Sequence, residues 1–322
     1  MRSTMKKALI FLCILGYIEV ASSQIQNSIL YFDVNKTILM EDKASGKTED
    51  QIILGLLAEK HKSFFIDWSG SGKIESFYQY ISRKLSSKHH GKNFKKKRDQ
   101  TLNSDFLPEL VRRDPGLFAK AKALKLQLKN ILGTAKPHRG LIPSFAKFLK
   151  TWDRWCHDSH SSCKLVIRTF GEDIDLVVDG MKQILDEGIK IEYGSINGQG
   201  QLQIGKTSHP MANISQAILK SSADYIFIRD HYDRWKNGRF KSQFGKPFPV
   251  GSNNLSIFFD DNVEGATEIN EKDIIFPFDD QGNFLSPRKV VEQGLLVPVT
   301  PIQAILDEDY FSSRVKSLLN DF

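Results

Sequence analysis

The sequence predicts an α/β fold: a doubly wound, mainly parallel Rossmann-like sheet with a mostly helical basic cap inserted after the first strand. Three observations predict it. Short apolar runs rich in β-branched and aromatic residues recur along the chain, segments of helical periodicity alternate with them, and one long basic stretch breaks the rhythm without a convincing strand.

The elements follow in order. SILYFDV, from Ser28, reads as a buried strand closing on polar residues. Thr48 and Gln51 form a capping box ahead of Ile52, Ile53, Leu56 and Leu57, so a helix is expected from Glu49 to His61. LIPSFAKFLKTWDRW places Phe145, Phe148, Leu149, Trp152 and Trp155 at helical spacing, a core-facing pattern. KLVIRTFG is the next strand, and EDIDLVVDGMKQILDEG a helix with acids in its first turn and Gly188 at its stop. Strands are expected at IKIEY, DYIFIRD, NLSIFFDD and DIIFPFDD, a helix near 209 to 221, and a last helix from Pro301 capped by Thr300.

Size and composition bound the classes. With 322 residues, 40% apolar and 26% charged, the chain can bury one large core or two ordinary ones, which excludes wholesale disorder. Only 22 Gly and 11 Pro exclude collagen-like and proline-rich classes, and 3 Cys exclude a disulfide scaffold. The net charge of +7 is a small excess that does not by itself imply nucleic acid.

Its distribution is more informative. From Arg83 to Arg139 there are 16 Lys plus Arg against Asp99, Asp105, Glu109 and Asp114, an excess of 16 − 4 = 12. KHHGKNFKKKRDQ within it is expected to be an exposed, mobile loop. A solvated basic surface and a polyanion-binding face both fit the stretch. Phe94 is the one Phe, Tyr or Trp within KHHGKNFKKKRDQ, which makes nucleic acid the lesser reading because single strands need stacking platforms.

Residues 1 to 23 have a basic start (Arg2, Lys6, Lys7), an apolar run from Ala8 to Ile18 and Ala21-Ser22-Ser23 before Gln24, the layout of a cleavable signal peptide. An uncleaved anchor or a buried first strand also fits, since Glu19 is unusual so near a cleavage site. Export would place the chain in a secreted or periplasmic setting, with no transmembrane segment left after signal removal and Cys156 and Cys163 as an even pair. CHDSHSSC then reads as a local disulfide, as free thiols or as a zinc clasp. The expected division is 1–23 signal, 24–61 and 139–322 α/β core, and 62–138 cap.

In open parallel sheets, ligands bind beyond the carboxyl ends of the strands. Asp33 closes the first strand and Asp260 with Asp261 closes NLSIFFDD, and three converging carboxylates call for a hard cation such as Mg²⁺. Thr169 closes KLVIRT, and Lys246 in GKPFPV supplies a positive charge. An Asp at a strand end is also an ordinary turn former or helix cap. GSGK (Gly70 to Lys73) and SGKT (Ser45 to Thr48) lack the leading glycine of a phosphate loop. Sequons stand at Asn35, Asn213 and Asn254, the first inside the expected site.

Taken in order, these segments resemble the haloacid dehalogenase-like (HAD-like) hydrolase superfamily. The matching pieces are Asp33-Val34-Asn35-Lys36-Thr37 after an apolar strand, Thr169 ending LVIRT, Gly245-Lys246-Pro247-Phe248-Pro249, and Asp260 and Asp261 with Glu264 in IFFDDNVEG. The resemblance covers residues 28–40 and 141–280. It implies a phosphatase in which Asp33 is the nucleophile forming an aspartyl phosphate, Thr169 and Lys246 hold the transferring oxygens, and Mg²⁺ is bound by Asp33, the backbone carbonyl of Asn35, and Asp260 or Asp261. The substrate would be a phosphorylated or otherwise anionic molecule. One position departs from the pattern: where the family has a second Asp as general acid and base, this chain has Asn35, which cannot exchange a proton. A catalytically degraded relative that binds an anionic ligand or partner through its basic cap is therefore the alternative.

Overall fold

The computed structural model describes residues 27–40, 46–87, 91–134, 138–159, 162–185, 188–251 and 254–319. The expected signal segment lies outside them. Strand β1 (Asn27–Asp33) is followed by five helices, α1 (Glu49–Lys60), α2 (Phe77–Ser86), α3 (Gly91–Arg113), α4 (Pro115–Thr134) and α5 (Pro143–Ser159). Then come β2 (Ser162–Thr169), α6 (Ile174–Ile184), β3 (Ile191–Ile196), β4 (Leu202–Ile204), β5 (Thr207–His209), α7 (Ile214–Lys220), β6 (Tyr225–Arg229) and α8 (Tyr232–Asn237). The chain ends with β7 (Lys246–Pro249), β8 (Leu255–Asp260), β9 (Ile275–Phe278), α9 (Pro287–Glu292), β10 (Leu296–Pro298), α10 (Pro301–Leu306) and α11 (Tyr310–Lys316).

Eight strands form one sheet in the order β10-β8-β1-β2-β6-β3-β4-β5. Every pairing from β10 to β3 is parallel, and β4 and β5 add an antiparallel edge. This is the expected mainly parallel α/β sheet. The central strand β1 is apolar throughout because both its faces are covered. Leu30 and Phe32 enter one core and Ile29 and Tyr31 the other. Phe32 stacks on Phe259 of β8 at 4.7 Å and meets Phe145, Phe148 and Phe311 from α5 and α11.

Helices α1 to α4 stand between β1 and α5. Helix α1 begins where expected, with Thr48 and Gln51 completing the capping box. It packs on α2, α3 and α4, and α10 packs on α4. Leu102, Phe106 and Leu110 of α3 share one buried cluster with Leu30 and Phe32, so the hydrophobic core runs unbroken from sheet to inserted helices.

Three expectations are corrected. Residues 91–100 of KHHGKNFKKKRDQ are the first turns of α3, not a loop. Lys and Gln are good helix formers, and Phe94 holds Arg98 one turn on, 5.6 Å from its ring, with Tyr78 of α2 taking the same guanidinium at 4.5 Å. Second, the strand in DIIFPFDD leaves the main sheet and pairs in parallel with β7. Pro247, Pro249 and Pro277 each lack a backbone donor, which suits these strands to a short two-stranded ribbon. Third, Thr300 precedes α10 without a side-chain cap, its backbone N–H donating instead to the Tyr310 hydroxyl at 2.8 Å.

Cys156 and Cys163 are free thiols in hydrogen-bond contact, and burial, then Cys163, pushes the Cys156 thiol up. His160, which the zinc reading needs, lies outside the described residues. Among the described residues no helix is long and apolar enough to cross a membrane.

Candidate active site

Because β1, β2 and β8 are adjacent and parallel, their carboxyl ends share one edge of the sheet. The register pairs Asp33 with Arg168, one residue before Thr169, and Phe32 with Phe259, one residue before Asp260. Asp33, Thr169, Asp260 and Asp261 are all buried there. Lys246 reaches the same point from β7, its Nζ donating to Asp33 Oδ1 at 2.5 Å and Asp260 Oδ2 at 2.7 Å. Its ammonium also lies 5.2 Å from the Phe170 ring and 5.8 Å from that of Phe258.

A loop reversal after β1 presents the next residues. Val34 carbonyl accepts from the N–H groups of Thr37, Ile38 and Leu39, and Lys36 takes a left-handed φ of 63°. That conformation costs a non-glycine residue about 1–3 kcal/mol and persists only when the surroundings enforce it. Asn35 Nδ2 donates to Asp173 Oδ2 at 3.3 Å, while Asn35 Oδ1 is buried without a partner.

Gly171 joins this loop to the end of β2. Its N–H donates to Thr169 Oγ1 at 2.8 Å. A Cβ at position 171 would lie 2.9 Å from Asp173 Oδ2 and 3.3 Å from Thr169 Oγ1, so a side chain there would displace the Asp173 carboxylate and crowd Thr169. The sequence-expected site residues other than Glu264 thus fall in two clusters, Asp33, Asp260, Asp261 and Lys246 in one and Asn35 and Thr169, around Gly171, in the other. Glu264 is exposed and stands outside the carboxylate group.

The electrostatics follow from three buried carboxylates and one buried ammonium. Burial lifts the Asp33 carboxyl well above the usual carboxylate range against the pull of Lys246, with Asp260 and Asp261 adding to the rise. Asp261 is pushed up to about 7 by burial and by Asp260. Burial opposes the Lys246 charge, but Asp260, Asp33 and Asp230 outweigh it and hold the ammonium above the ordinary lysine value.

Oxygens of Asp33, Asp260 and Asp261 lie within 4.8 Å of one another, and Asp261 Oδ2 is buried with no partner. An all-oxygen set with an orphaned acceptor fits Mg²⁺, whose octahedral shell at about 2.1 Å suits carboxylates and carbonyls. These residues can therefore hold the expected ion.

Several participants were missed in the sequence. Asp173 occupies the position just before α6 and reads as an ordinary helix cap, yet its side chain caps nothing and turns to Asn35. Arg168 directly precedes Thr169 on β2 and gives no signal of its own. In the structure it is fully buried, with Nε 2.9 Å from Asp230 Oδ2, Nη2 on Asp230 Oδ1 and Nη1 2.8 Å from the Pro247 carbonyl. It ties β2, β6 and β7 together beside Lys246. The GSGK loop is already filled: Asp67 accepts from the N–H groups of Ser69, Gly70, Ser71 and Gly72, a built-in anion where a phosphate loop would hold its ligand.

No family model, no curated protein and no solved structure matches the chain.

Proposed function

We propose that the chain is a Mg²⁺-dependent HAD-like hydrolase, a phosphatase that works through an aspartyl phosphate on Asp33. The observation that carries this reading is the meeting of Asp33, Asp260 and Lys246 within 2.5 to 2.7 Å at the carboxyl edge of a parallel sheet. Lys246 occupies Asp33 Oδ1 and leaves Oδ2 as the attacking atom. The Oδ2–phosphorus bond forms as the ester oxygen leaves with its electron pair, and water later cleaves the acyl phosphate to return the carboxylate and release inorganic phosphate.

Lys246 and the Thr169 hydroxyl hydrogen supply positive charge to the transferring oxygens. Asp33, Asp260, Asp261 and the Asn35 carbonyl would hold Mg²⁺, which when bound neutralises charge on the phosphoryl group. Asn35 cannot give the leaving oxygen a proton. Esters with good leaving groups should therefore react best, and the aspartyl phosphate should decay slowly.

Asn35 also supports a second reading, a degraded relative that binds an anionic ligand through its basic helices without turnover. A phosphate-ester panel with Mg²⁺ separates the two. The enzyme reading expects turnover by the wild type on activated esters and faster turnover by Asn35→Asp. Inertness of both variants would leave the binding reading.

A further inference from the structure

Helix α3 has a second face besides the one that enters the core. Leu102, Phe106 and Leu110 form the buried stripe. Residues 95, 96, 99, 100, 103 and 104 recur at the same period beside it and are all polar. That polar stripe lines an open groove of about 800 Å³, bordered on the other side by Lys47 and Gln51 at the start of α1. Such a volume is within the range of small-molecule sites. Gln51 and Lys60 are nine residues apart on α1, about 13 Å at the helical rise, so the groove is separate from the carboxylate cluster that Lys60 touches.

The charges in the groove are unevenly matched. Asp99, the one acid among its described lining residues, is taken by Lys47 at 3.0 Å and Arg98 at 3.5 Å. Neither Lys95 nor Lys96 meets a carboxylate among the described residues, and both are exposed. Between and beyond them stand Gln100 and Asn103, whose amides both donate and accept, and Ser104, whose hydroxyl donates to Asp105 Oδ1 at 2.5 Å or the Gln100 carbonyl at 3.1 Å and can accept from a ligand. No aromatic side chain stands among its described lining residues, so it offers no platform for a stacked base.

We propose that this groove between α1 and α3 is a binding site for a small polyhydroxylated anion, a sugar or cyclitol bearing phosphate or sulfate esters. Lys95 and Lys96 meet the ester charge, and Gln100, Asn103 and Ser104 meet the hydroxyls. The site is independent of the phosphatase reading and takes its ligand without chemistry.

The probe is a disulfated disaccharide, whose sulfate esters a phosphatase does not cleave, titrated calorimetrically into the full chain. The unsulfated disaccharide, inorganic sulfate and single-stranded RNA are the comparators. The wild type should bind the disulfated sugar at least about tenfold more tightly than either the unsulfated sugar or inorganic sulfate. Lys95→Glu with Lys96→Glu should weaken it about tenfold or more, and Asn103→Ala with Ser104→Ala about three- to tenfold. Unchanged melting temperatures would show that the surface variants fold. A phosphorylated sugar should compete for the site in Asp33→Asn as well as in the wild type. The inference is overturned if the disulfated sugar binds no better than sulfate. Indifference to Asn103 and Ser104 would make the face a mere charge patch and overturn it too, as would tighter binding of RNA lost with the same lysines.

Discussion

Lys246 Nζ lies between Asp33 and Asp260, 2.5 Å and 2.7 Å from their oxygens, although Lys246 opens a two-stranded ribbon and the two acids close neighbouring strands of the main sheet. The site is thus assembled across two sheets. Its charge balance depends on a residue that neither sheet would bury alone.

Replacing Lys246 with Met should therefore cost about 3–5 kcal/mol, because removing one partner leaves buried carboxylates uncompensated. Combining Lys246→Met with Asp33→Asn should recover part of that loss. Urea melts in EDTA measure both, and equal stability of the single and double variants would place the cost elsewhere.

The Asp261 carboxyl, raised from 3.8 to about 7 in the fold, sets a pH dependence. A raised acid stabilises the folded state below its unfolded value, and that stability is lost as pH climbs through the folded value. In EDTA the melting temperature should fall between pH 5 and about pH 8. Asp261→Asn should flatten the slope in this window, as pH-dependent calorimetry can test.

Asn35→Asp sets a gain against a loss. It adds a group able to exchange protons and should raise turnover by about one to three orders of magnitude. It also removes the amide donor and faces Asp173, now 3.3 Å from Asn35 Nδ2, with a second carboxylate. Stability should drop, and adding Asp173→Asn should restore it. Thermal melts beside steady-state rates decide, and an unchanged melting temperature for Asn35→Asp would show that the Asp173 contact carries no weight.

Phe32→Ala should destabilise by about 3–5 kcal/mol, the range for a buried aromatic whose cavity cannot close. Phe32 is fully buried against four rings from three elements. Denaturant unfolding checks the magnitude, and a loss below about 1 kcal/mol would mean that the surrounding rings collapse into the space.

The strands and the ends that carry Asp33, Thr169 and Asp260 were legible because their apolar runs stop abruptly at polar residues, a pattern that survives without tertiary information. Lys246 was legible only through its GKPFP setting, since its strand joins another sheet. Asp173 and Arg168 were not legible. A carboxylate before a helix looks like a cap whether or not it caps, and an arginine between Ile167 and Thr169 gives no sign that Asp230, 62 residues away, will be buried against it. The basic run at the start of α3 is exposed at Lys95 to Lys97, as its charge suggests, but it is helix and not loop, because Tyr78 on another helix supplies a contact for Arg98 that local sequence does not reveal.

The most direct test is acid-quench mass spectrometry after reaction with p-nitrophenyl phosphate and Mg²⁺. Slow decay imposed by Asn35 should let a phosphoryl group accumulate on the peptide containing Asp33, absent from Asp33→Asn and depleted in Asn35→Asp. No adduct on that peptide with any of the three proteins, or an adduct that persists in Asp33→Asn, would contradict Asp33 as the nucleophile.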